Sequence, residues 1–184
     1  MRLALVGLPG SGKSSVGRLL ARRLDVGFLD TDSVIEKRLG EPIRSFFDRA
    51  GEARFREIEQ AVVAELCADH DGVLATGGGA VLREANRRAL HDSATVIYLR
   101  SSPDELQRRL RHDTQRPLLQ VKDPRAKLQE LYRERDPLYR ETAHFVIETG
   151  RPTVHTLVGM ILMQLELAGI VDPARVPSPV EPPR

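Results

Sequence analysis

The stretch Leu3-Ala4-Leu5-Val6-Gly7-Leu8-Pro9-Gly10-Ser11-Gly12-Lys13-Ser14 decides the fold. Its first four residues are apolar without alternation, the mark of a short strand buried on both faces of a sheet. The run stops at Gly7, and two more glycines follow before Lys13. Beyond Ser14, the residues Val16, Leu19, Leu20 and Leu24 fall on one helical face. A buried strand, a glycine-rich turn and a helix, in that order, open a parallel α/β sheet.

The turn itself matches the pattern G-x-x-x-x-G-K-S/T from Gly7 to Ser14. Its glycines let backbone N–H groups point inward around phosphate oxygens, and the helix behind adds its positive N-terminal end. Lys13 is spaced to reach β- and γ-phosphates, and Ser14 offers a hydroxyl to Mg2+. Gly10, Ser11, Gly12, Lys13, Ser14 and Ser15 therefore form a nucleoside triphosphate site.

Outward from that stretch the pattern continues. Phe28-Leu29, Val73-Leu74-Ala75, Thr95 to Leu99 and His144 to Ile147 read as further short apolar strands. Helical patterns fill the intervals: a stretch opening at Asp32, two helices over 42–67, then about 83–91, 104–111, 125–142 and 153–167. Ser101-Ser102-Pro103 supplies a cap and first turn for the helix over 104–111. Five strands alternating with helices predict an α/β fold, a three-layer α/β/α sandwich around a five-stranded parallel sheet. Residues 112–124 are polar, broken by proline and aperiodic, and residues 169–184 are Pro-rich with little to bury, so the domain is expected to end near 168 in a disordered tail.

Composition narrows the class. The chain has 184 residues, one domain's worth, with 41% hydrophobic and 29% charged residues. No apolar run approaches the roughly 18 residues of a membrane span. One cysteine, Cys67, excludes an intramolecular disulfide, and a cytoplasmic location with no membrane association is expected. Net charge is +2, which argues against nucleic acid as a partner, and a monomer is the default. Of the 28 cations, 24 are Arg; codon bias or anionic ligands both account for that excess.

The residues just after each strand carry the chemistry, because ligands of such sheets sit beyond the strands' carboxyl ends. Asp30 and Asp32 are two residues apart on what reads as an extended segment, so both carboxylates point one way. One can support Mg2+ and the other a substrate hydroxyl; Asp32 is equally suited to cap the following helix. Gly77-Gly78-Gly79 offers bare backbone N–H groups where a ligand can approach, or a flexible turn. Arg116, in the aperiodic segment, suits a lid closing over phosphates, although a lone Arg is usually a solvated surface group. Arg56 and Arg135 lie in charged helices, where surface ion pairs are the default. A guanine-reading Asn/Thr-Lys-x-Asp is absent, and the third strand ends in Thr-Gly-Gly-Gly rather than Asp-Glu, so a small-molecule kinase fits better than a GTPase or a large ATPase.

Taken together, these residues resemble shikimate kinase over about residues 2 to 167. The resemblance rests on ordered blocks: residues 7–14, Phe28-Leu29-Asp30-Thr31-Asp32, Phe55-Arg56-Glu57-Ile58-Glu59, Gly77-Gly78-Gly79-Ala80-Val81, Arg116-Pro117-Leu118-Leu119 and Arg135-Asp136-Pro137-Leu138-Tyr139. It implies transfer of phosphate from MgATP to the 3-hydroxyl of shikimate, in aromatic amino acid biosynthesis. Asp32, Lys13 and Arg116 would be catalytic. Arg56, Arg135 and Gly77 to Gly79 would hold shikimate together with Asp32. Arg109, Arg116 and Arg151 would join the phosphate loop around ATP, and Ser14 and Asp30 would serve Mg2+. The implied fold is that of nucleoside-monophosphate kinases, with strand order 2-3-1-4-5. It has a substrate-binding region near 31–60 and a lid near 112–124. Gluconate kinase is the neighbouring alternative, sharing the fold without this ordered set; a non-catalytic nucleotide-binding regulator and a nucleic-acid kinase are the others.

Overall fold

The computed structural model describes residues 1–111, 121–150 and 152–176. Five parallel strands form one sheet: β1 (Arg2–Val6), β2 (Phe28–Asp30), β3 (Gly72–Ala75), β4 (Thr95–Arg100) and β5 (Phe145–Glu148), in the order β2-β3-β1-β4-β5. This is the expected three-layer architecture and strand order. Among the described residues, eight α-helices flank it: α1 (Lys13–Leu24), α2 (Thr31–Leu39), α3 (Ile43–Ala50), α4 (Glu52–Asp69), α5 (Glu84–Ser93), α6 (Pro103–Leu110), α7 (Pro124–Thr142) and α8 (Val154–Leu167).

The central strand is buried on both faces, as its unbroken apolar run requires. Leu3 and Leu5 point into a core with Val16 and Leu20 of α1 and Leu157, Ile161 and Leu165 of α8. Ala4 and Val6 point the other way, toward Phe55, Val62 and Val63 of α4 and Leu128 and Tyr139 of α7. The same two-residue alternation sorts β4, with Ile97 and Leu99 on the first face and Val96 and Tyr98 on the second. Each fully buried aliphatic side chain contributes about 1.5–3 kcal/mol, so both layers are bound to the sheet by area alone. Cys67 is buried in the second core.

Local chemistry sets the helix ends. Ser102 caps α6, accepting from the Glu105 amide at 3.2 Å, with Pro103 in the first turn. Asp123 caps α7 through the Ala126 amide at 3.1 Å, which draws Pro124 out of the irregular segment and into the helix. Residues 112–120 of the expected lid lie outside the described residues.

Beyond the expected boundary at 168 the described chain keeps packing. Gly169 turns the chain with φ 71°, and Val171 then returns to the α1/α8 core at 4% exposure. Ile170 and Val176 pack beside it, and Asp172 caps a short 3-10 turn over Pro173–Arg175. One reversal suffices to bury Val171 and to cover Ile170 and Val176 in part. Residues 177–184 of the expected tail lie outside the described residues. The region expected at 31–60 consists of α2, α3 and the first half of α4.

Candidate active site

All strands are parallel, so the turns at their carboxyl ends gather on one edge of the sheet, and the candidate residues gather with them. The loop from Gly7 to Gly12 leaves β1 and enters α1. Gly10 and Gly12 have φ values of 84° and 95°, and a Cβ on Gly10 would press on Leu110 of α6 at 2.9 Å. Only glycine meets both demands there. Lys13 is buried beneath the loop, its ammonium donating to the carbonyls of Gly7 at 2.7 Å and Leu8 at 2.9 Å. Arg109 of α6 lies across the outside of the loop, donating to the carbonyls of Gly10 and Ser11 at 3.4 and 3.3 Å. Glu105, one helical turn earlier, pairs with it at 2.5 Å and also accepts from the Thr149 hydroxyl at 2.9 Å.

The two aspartates divide their work in a way the sequence pattern did not anticipate. Helix α2 begins between them, so they do not share an extended segment. Asp30, not Asp32, is the cap: its Oδ1 accepts from the amides of Asp32 at 2.9 Å and Ser33 at 3.4 Å. Its other oxygen, Oδ2, accepts from the Ser14 hydroxyl at 2.7 Å. Ser14 and Asp30 thereby form a paired set of hard oxygen donors at the loop's edge, the kind Mg2+ prefers.

Asp32, freed from capping, sits in the first turn of α2 against Gly77, where a Cβ would meet its Oδ1 at 2.6 Å. Burial, reinforced by the negative charges of Asp30 and Glu59 and opposed by Lys13, pushes its carboxyl from an ordinary 3.8 up to about 6. That value is suited to moving a proton near neutrality.

The glycine turn after β3 joins the two halves of the site. Gly77 donates its amide to the Thr31 hydroxyl at 2.9 Å. Gly78 packs so closely on Pro9 of the phosphate loop that a Cβ would sit 2.7 Å from it. Gly79 faces the Arg56 guanidinium, which a Cβ would overlap.

Arg56 and Arg135 are not the solvated surface groups that are the default for long charged helices. Arg56 of α4 pairs with Glu59 at 2.9 Å, and Arg135 of α7 is 7% exposed, its charge also bearing on Glu59. Glu59 is 1% exposed; burial raises its pKa, with Arg56, Arg135 and Arg83 opposing. Arg56 also pairs with Glu52 at 3.4 Å, so two guanidiniums lie near one buried and one exposed carboxylate. The Nε atoms of both arginines and Oε2 of Glu59 find no hydrogen-bond partner among the described residues. Planar guanidinium forks of this kind are suited to a carboxylate or phosphate.

These observations decide the comparison with known proteins. Residues 9–166 match the shikimate kinase family profile. The chain belongs to the shikimate kinase family. It is 58% identical over 174 residues to the shikimate kinase of Ralstonia nicotianae, covering 95% of this chain and 92% of that one. The shikimate kinase from Acinetobacter baumannii, solved in complex with shikimate, superposes with a TM-score of 0.87 at 43% identity, over 92% of this chain and 94% of that one. A gluconokinase from Sinorhizobium meliloti shares the fold alone, at 19% identity and a TM-score of 0.56 over 91% of this chain and 92% of that one. As a shikimate kinase, the chain is an ATP-dependent transferase of the shikimate pathway.

Of the expected site residues, Lys13, Ser14, Asp30, Asp32, Arg56, Gly77, Gly78, Gly79 and Arg135 gather on one edge, with Gly10, Ser11, Gly12, Ser15 and Arg109 at the loop. Arg116 and Arg151 lie outside the described residues. Glu59 and Tyr139 were present in the quoted blocks but carried no role. The three-residue spacing from Arg56 to Glu59 on a helix was the signal that could have found the first.

Proposed function

We propose that this edge transfers the γ-phosphoryl group of ATP to the 3-hydroxyl of shikimate, with Asp32 as the group that orients and deprotonates the hydroxyl. The observation carrying this is the convergence of Asp32, Arg56 and Arg135 around a glycine turn whose middle residue rests on Pro9 of the phosphate loop. A substrate with one carboxylate and a ring of hydroxyls matches two cationic forks facing one carboxylate base.

The reaction balances on the chain's own groups. Arg56 and Arg135 hold the shikimate carboxylate, which fixes the ring so that its 3-hydroxyl meets Asp32. The hydroxyl proton passes to the Asp32 carboxylate, ionised in most molecules at pH 7 with a pKa near 6. The oxygen bonds to the γ-phosphorus while the bond to the β–γ bridging oxygen breaks, and ADP leaves. Lys13, released toward the β- and γ-phosphates, and Arg116 neutralise charge on the transferring group. Ser14 and Asp30 would hold Mg2+, which when bound neutralises phosphate charge and orients the β- and γ-oxygens. Positioning and charge supply the catalysis.

Arg109 and Arg151 flank the nucleotide base in this reading. The protein acts as a cytoplasmic monomer without nucleic-acid partners; among the described residues, no helix is long and apolar enough to cross a membrane. A coupled assay of ADP release tests the reading. Release is expected with shikimate and Mg2+ together, and not with gluconate or after chelation. Equal turnover of gluconate would overturn it.

A further inference from the structure

The hydroxyl of Tyr139 has an arrangement that the reaction above does not use. Tyr139 lies on α7, one helical turn beyond Arg135, and its side chain is fully buried. Its Oη donates to the Gly78 carbonyl at 2.6 Å, and the positive charge of Arg135 bears on it. Burial holds the phenol well above its ordinary pKa, so it stays a donor. The ring is fixed by Tyr98 of β4, with centroids 4.9 Å apart, and the Tyr98 hydroxyl in turn donates to Asp136 of α7 at 2.7 Å.

We propose that the Tyr139 hydroxyl is a positioning group for substrate binding, fixing the glycine turn beside the Arg135 fork through one oxygen atom. That oxygen fixes the peptide plane of Gly78, which sets the direction of the next amide, that of Gly79, beside Arg56. One wall of the anion pocket therefore depends on a group outside the residues assigned to shikimate and ATP.

The proposal rests on the reading that Arg135 holds the substrate carboxylate, and three variants separate the two. Tyr139→Phe keeps the ring and removes the bond to Gly78. It is expected to raise the KM for shikimate about tenfold, the scale of one lost buried hydrogen bond, with the KM for ATP unchanged. Tyr98→Phe removes a comparable buried hydroxyl bond from the same helix without reaching Gly78. It is expected to lower the melting temperature similarly while both KM values stay at the parent's. Arg135→Ala is expected to abolish shikimate saturation.

A shikimate KM for Tyr139→Phe within about twofold of the parent, beside a defective Arg135→Ala, would overturn the positioning role alone. Normal shikimate binding by Arg135→Ala would overturn the reading beneath it. Failure of Tyr139→Phe to fold where Tyr98→Phe folds would also overturn the proposal, since the hydroxyl would then be a determinant of the fold.

Discussion

Replacing Asp32 by Asn should make a dead enzyme that is more stable than its parent, and the size of both effects follows from the site. Asp32 is pushed from 3.8 to about 6 by burial and by Asp30 and Glu59. A folded-state pKa above the unfolded one means that the folded protein prefers the protonated carboxyl. That preference is fully present below 3.8 and is lost as pH rises through 6. At pH 8 the ionised carboxylate therefore costs the fold about 3 kcal/mol, taking about two pKa units at 1.36 kcal/mol each. A neutral amide of the same shape avoids that cost. For a chain of this size the gain corresponds to roughly 5–10 °C in melting temperature.

Activity moves the opposite way: without a base for the hydroxyl proton, kcat should fall by about 10²–10⁴, while ATP affinity holds. The assay is thermal unfolding of both proteins from pH 4.5 to 8, with coupled ADP release alongside. The melting-temperature gap should be widest at pH 8 and close toward pH 4.5. Equal stabilities at pH 8, or a gap that widens on acidification, would refute the electrostatic reasoning, and retained kcat would remove Asp32 from the chemistry.

Three further outcomes are expected. Gly79→Ala meets no backbone strain at φ −95°, yet its Cβ would occupy the place of the Arg56 guanidinium; steady-state kinetics should show the KM for shikimate raised on the order of tenfold and that for ATP unchanged. Glu59→Ala strips the shared counter-charge from Arg56 and Arg135 and should lose about 3–5 kcal/mol in denaturant unfolding, with Glu59→Gln losing less. His144 accepts the Val96 amide on Nδ1 at 2.9 Å and stacks on His91 with centroids 4.2 Å apart, and burial followed by His91 lowers its pKa from 6.5. Its contribution is therefore intact above 6.5 and lost as pH falls below, and parallel pH titrations of stability should show His144→Asn missing that loss.

Most of the sheet was legible because the strands announce themselves locally: a short apolar run, a break, then a helical period. The phosphate loop was legible for the same reason, its whole argument lying within eight consecutive residues. The Asp30-Thr31-Asp32 segment was half legible. Both carboxylates were candidates, but which one caps depends on where the helix starts, a difference of two residues that propensity does not resolve. The packing of Ile170, Val171 and Val176 was not legible, because it needs the α1/α8 core to exist first.

What the sequence by itself determined was the class of chemistry: a strand, a glycine loop with Lys13 and Ser14, and so a nucleotide's phosphates on a parallel sheet. What only the tertiary structure decided was which of 24 arginines are withdrawn from solvent beside the glycine turn. Arg56 and Arg135 look like any helical arginine in the chain, where a solvated ion pair is the ordinary fate. They are proposed as a binding site because the packing of α4 and α7 against the sheet sets both near the buried Glu59 carboxylate and a turn without side chains. Backbone patterns act over a turn or a strand and can be read along the chain; the desolvation that gives a charge its purpose is set by neighbours distant in sequence, and it exists only once the chain has folded.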